Sequence, residues 1–90
     1  MPYTDDAYQS LLAVKGVGKV FIERLIQMDL DNPEKLANSS VHYITEQGAY
    51  LTGSNCYKNS PQAKNAAQNA IAWANLWCKE HDKNNHDDKV

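Results

Sequence analysis

The sequence predicts an all-α domain, a compact bundle of about five helices. Three observations predict it. Apolar residues recur at helical intervals through Tyr8, Leu11 and Leu12, and again through Phe21, Ile22, Leu25 and Ile26, so each run lines one helix face. Helix-start chemistry recurs at Thr4-Asp5-Asp6, Asn32-Pro33-Glu34, Ser39-Ser40 and Ser60-Pro61, where short oxygen-bearing side chains satisfy first-turn amides and proline fits the first helical position. No stretch alternates apolar and polar residues for long enough to form a strand.

Thr4 caps helix one, with Asp5 and Asp6 placed where carboxylates suit the helix dipole. That helix runs from about Asp5 to Ala13. Lys15-Gly16-Val17-Gly18-Lys19 follows, a connection too short for anything but a helical hairpin. Its two glycines are free to take φ > 0 or to bring backbone close to another group, and Val17 tucks beneath the turn. Helix two runs from about Lys19 to Met28 with a wide apolar face, and Glu23 and Arg24 project away from it. Asn32 caps a short third helix with Leu36 and Ala37 inward, and Asn38-Ser39-Ser40 stops it. Ser39 or Ser40 caps helix four, Val41 to Gln47, with Val41 and Ile44 inward and Gly48 as its C-terminal stop. Ala49 to Ser60 is the least regular stretch.

The final helix runs from about Pro61 to Lys79. Ala63, Ala66, Ala67, Ala70, Ile71, Ala74, Trp77 and Cys78 share one face, and Asn65, Gln68, Asn69, Asn75 and Lys79 lie opposite. An alanine-rich face admits another helix closely, so this helix is expected to pack across the pair joined by the hairpin. Residues 1–80 then form a single domain, and 81–90 a disordered polar tail, because the tail has no apolar anchor.

Ninety residues support one modest core. Cys56 and Cys78 make no disulfide framework, which fits a reducing cytosol. The opening Met-Pro-Tyr-Thr-Asp-Asp has neither the basic nor the apolar segment of a signal peptide, and no apolar run approaches a membrane span. A cytoplasmic protein without membrane contact is expected. The net charge of −2 argues against a bulk polyanion binder. The distribution softens that objection. Lys15, Lys19 and Arg24 face only Glu23 in their segment, and Ala49 to Lys79 holds Lys58, Lys64 and Lys79 with no acid. The acids collect at Asp5, Asp6, Asp29 to Glu34 and the tail.

Chemistry concentrates at the hairpin. After Gly18 a helix begins with unpaired amides, and Lys19 stands beside them: oriented N–H groups, a helix dipole and a cation make a small anion site. Leu11-Leu12-Ala13-Val14-Lys15-Gly16-Val17-Gly18-Lys19, followed by a helix, resembles the helix-hairpin-helix motif of DNA-binding proteins. Leu11, Val14, Gly16, Val17 and Gly18 match it position by position. Lys15 stands where the motif often has proline, and Ile22 where it has a small residue. The resemblance, Leu11–Met28, covers about a fifth of the chain. It implies a bundle similar to tandem helix-hairpin-helix or SAM-like folds. It also implies weak, non-sequence-specific binding of DNA backbone phosphate in repair, recombination or uptake. Lys15, Gly16, Val17, Gly18, Lys19 and Val20 would form the site, sometimes with a monovalent cation, and Arg24, Lys58 and Lys64 would supply outer charge. Gly53 to Ser60 is either a second, degenerate hairpin or an ordered connecting loop.

No catalytic apparatus is visible, so no enzyme is expected. Cys56 precedes a helix start but lacks a histidine and carboxylate partner in the sequence, and His81 and His86 with Asp82, Asp87 and Asp88 fit no standard metal spacing. The competing reading is a protein-interaction module. In it the hairpin is structural, and Trp73 and Leu76 form an exposed patch for a protein partner.

Overall fold

A computed structural model of the protein describes residues 3–53 and 59–81. Among them are five helices and no strand: α1 (Asp5–Leu12), α2 (Lys19–Gln27), α3 (Pro33–Ala37), α4 (Val41–Thr52) and α5 (Pro61–His81). The expected caps form. Thr4 Oγ1 accepts from the Ala7 amide, Asn32 Oδ1 from Lys35, Ser40 Oγ from Tyr43 and Ser60 Oγ from Ala63. Each satisfies a first-turn donor that the helix itself cannot.

α2 ends without glycine. Asp29 takes the left-handed conformation, φ 68°, while its amide bonds Ile26 O and the Leu30 amide bonds Leu25 O. That is a Schellman closure, with Leu30 folded back toward Leu25. Gly48 does not stop α4. The helix runs through it to Thr52, and Gly53, φ 68°, supplies the left-handed cap. Gly48 is buried within the helix instead.

Leu11, Ile22, Leu25, Leu36 and Ile44 are fully buried, with Tyr3 and the row Ala67, Ala70 and Ala74 from α5. The alanines let backbones approach closely. α5 lies against α3 and α4, and α2 against α4. The α1–α2 pair meets α5 differently from the helix-on-helix crossing the alanine face suggests. It touches through its turn, at Ala66, and through Trp73, whose Nε1 donates to Ser10 Oγ at 2.8 Å.

Tyr3 fastens the chain's start to the exit of α2. Its ring is 1% exposed and its hydroxyl donates to Leu30 O at 2.7 Å. Tyr43 does similar work, donating to Met28 O at 3.2 Å. Burial, then the charge of Asp31, pushes the Tyr3 pKa far above its ordinary 10.0. The folded chain therefore holds this proton more tightly than the unfolded chain. Its contribution is complete below pH 10 and is lost as pH rises above that value. Tyr3→Phe leaves a buried carbonyl without a donor. It should lower stability by about 1–3 kcal/mol at neutral pH, and above pH 10 its melting temperature should fall less steeply than that of the parent protein. Thermal melts across pH check both.

Candidate functional site

Four carbonyls in and beside the hairpin are hydrogen-bonded within the protein. Leu11 O accepts from the Val14 amide, Val14 O from Val17, and Gly18 O from Ile22. Lys15 O accepts from Asn69 Nδ2 on α5 at 3.1 Å. These are the groups that would repel an anion, and each is engaged. Val17 is buried beneath the turn, 7% exposed.

The two glycines have different duties. Gly16 has φ +86°, and a β-carbon there would lie 3.4 Å from both Cα and Cβ of Ala66. It needs glycine's backbone freedom; a β-carbon there would meet Ala66 at ordinary van der Waals distance. Gly18 has φ −128° and ψ −177°, extended backbone that any residue adopts, with open space around it. Its value is as an N-cap that brings no side chain. Among the described helices α2 starts without a side-chain cap, so the amides of Lys19, Val20 and Phe21 have no acceptor from within the helix. Lys15, Gly16, Gly18, Lys19 and Val20 are all exposed around them.

Charge is sorted by helix direction. Tyr3 bonding to Leu30 places the start of α1 beside the exit of α2, so the hairpin lies at the opposite end of both. Asp5 and Asp6 open α1, and Asp29, Asp31 and Glu34 follow α2. Helices of eight and nine residues put these acids about 12–14 Å from the hairpin. That exceeds the screening length of about 8 Å at physiological salt. Lys35 sits among the acids, 3.2 Å from Asp31 and 3.4 Å from Asp29, and its hydrogen bonds to Asp31 and then Asp29 raise its pKa. Among the described residues no ion pair engages Lys15 or Lys19, although Glu23 lies one turn from Lys19.

Lys15, Gly16, Val17, Gly18, Lys19 and Val20 are therefore contiguous at one end. Arg24, half-buried, lies further along α2. Lys64 is exposed elsewhere: it lines a groove of about 390 Å³ with Val41, His42, Thr45, Glu46 and Asn59. Ala66, which meets the hairpin, is about 200° around α5 from it. Lys58, Cys56 and most of Gly53–Ser60 lie outside the described residues, as do residues 82–90 of the tail with His86 and its neighbouring acids.

Trp73 and Leu76 differ in exposure. Trp73 is half-buried against the core and bonded to Ser10, with its ring 5.3 Å from that of Trp77. Trp77 in turn stacks on His81 at 3.9 Å. Leu76 is 57% exposed.

Two participants escape a reading of the sequence. Asn69 falls on the polar side of α5, yet it reaches the hairpin; Tyr3 sits ahead of the first helical repeat. Neither leaves a local signal, because each partner is distant in the chain.

Compared with protein-family models, curated proteins and solved structures, the chain shows no significant match.

The glycines' duties are separable by experiment. Gly16→Ala should cost about 1–2 kcal/mol through left-handed strain. Gly18→Ser should raise stability by a few tenths of a kcal/mol, since the new hydroxyl caps α2. Melting both variants beside the parent protein reads the contrast.

Proposed function

We propose that the α1–α2 hairpin is a helix-hairpin-helix element that binds the phosphate backbone of DNA without sequence preference. The observation that carries this reading is the uncapped start of α2 beside the exposed Lys15 and Lys19, with the Lys15 carbonyl engaged by Asn69. Helix N-termini of this kind favour anions because their amides and dipole point the same way. Lys15 and Lys19 add charge, and the amides of Gly16, Gly18, Lys19 and Val20 supply the donors. Arg24 adds charge further along α2. The sequence resemblance points to repair, recombination or uptake as the setting.

So small a site touches about two to four phosphates, which gives a log–log salt slope of about −2 to −4. Affinity should be about micromolar or weaker at physiological salt, and nearly equal for unrelated duplexes, since no side chain is posed to read base edges.

The test is a titration of labelled protein with a short duplex at low salt, followed by NMR. Amides from Gly16 to Val20 should shift first. Lys19→Glu should weaken binding several-fold and flatten the salt slope by about one to two units. Gly18→Ser should weaken binding while the protein becomes more stable, because its hydroxyl takes an amide the phosphate needs. If the hairpin amides stay unshifted while the duplex binds elsewhere or not at all, the hairpin is only a turn.

A further inference from the structure

We infer that Asn69 is a positioning residue for the hairpin, holding the Gly16 amide outward from a point 54 residues further along the chain. This rests on the phosphate reading above. The bond from Asn69 Nδ2 to Lys15 O fixes the peptide plane between Lys15 and Gly16. Gly16 is the left-handed residue of the turn, and its backbone is seated on Ala66, one turn of α5 before Asn69. Seat and tether therefore lie on one stripe of α5. A planar peptide whose carbonyl is tied inward must point its N–H the other way, so the tether aims the Gly16 amide away from α5. It also removes from the turn a carbonyl that would face an anion. Without the tether, a glycine turn has several accessible backbone wells. Phosphate binding would then have to order the turn as well as contact it, and the affinity lost is the cost of that ordering.

Position is separable from stability. Ser10→Ala removes a hydrogen bond that α5 makes to α1, from Trp73, and leaves the turn alone. The experiment compares the parent protein, Asn69→Ala, Asn69→Gln and Ser10→Ala by thermal melt, by ¹⁵N relaxation of the free protein, and by duplex titration at low salt. Asn69→Ala should lower the order parameters at Gly16 to Lys19 from about 0.85 toward about 0.6. It should weaken duplex binding by about two- to ten-fold, the range one hydrogen bond commands. Asn69→Gln, which keeps the donor, should recover part of both. Ser10→Ala should change neither beyond its effect on melting. Unchanged hairpin order in Asn69→Ala overturns the inference, as does equal weakening of binding by Ser10→Ala. If the parent protein does not bind duplex, the phosphate reading fails and the binding half of the inference falls with it. The relaxation data then still decide whether Asn69 orders the turn.

Discussion

The close approach of the Gly16 backbone to Ala66 is the constraint on which the hairpin depends. It rests on a positive φ at Gly16 on one partner and on the small side chain of Ala66 on the other. Neither helix of the pair can supply this alone. α1 and α2 are eight and nine residues long, too short to be stable as isolated helices in water. Their geometry is borrowed from α5, whose alanines at 63, 66, 67, 70 and 74 are all buried. A larger residue in that row would separate backbones and leave the turn without a floor.

Seating the turn this way leaves a helix start exposed, while the other four described helices have side-chain caps. Thr4, Asn32, Ser40 and Ser60 each donate an acceptor to the helix that follows. Gly18 donates none. A serine there would be a little more stable, so the open start forgoes stability, a pattern found where binding rather than folding sets the residue. The net charge of −2 misleads about this end of the molecule. Asp5, Asp6, Asp29, Asp31 and Glu34 lie at the far ends of α1 and α2, beyond the reach of screened electrostatics, and Glu23 is the acid that stays near the hairpin.

What the sequence made legible is what local chemistry decides. Side-chain caps announce themselves because the oxygen and the amides it serves are within three residues. The hairpin announces itself because two glycines interrupt a helical apolar repeat. The alanine face of α5 is visible for the same reason. Gly48 misleads because glycine has two uses: as a left-handed cap, or as a small buried residue inside a helix. Tertiary packing chooses between them, and Gly53 takes the first role. The left-handed residue after α2 is Asp29, which local pattern does not single out. Asn69 and Tyr3 act on backbone carbonyls 54 and 27 residues away, and no periodicity encodes that. Lys64 looks like a companion to the hairpin by charge alone. Helical geometry sends it to a different groove.

The most direct test of this account is a nuclear Overhauser measurement between the Gly16 α-protons and the Ala66 methyl, made on the free protein and again with duplex present. A turn held from behind by α5 and used from in front should show a strong cross-peak in both states, while the amides of Gly18 to Val20 shift only when duplex is added. A missing cross-peak in the free protein would contradict the seating of the turn. A cross-peak that vanishes as duplex binds would contradict the claim that α5 holds the site ready.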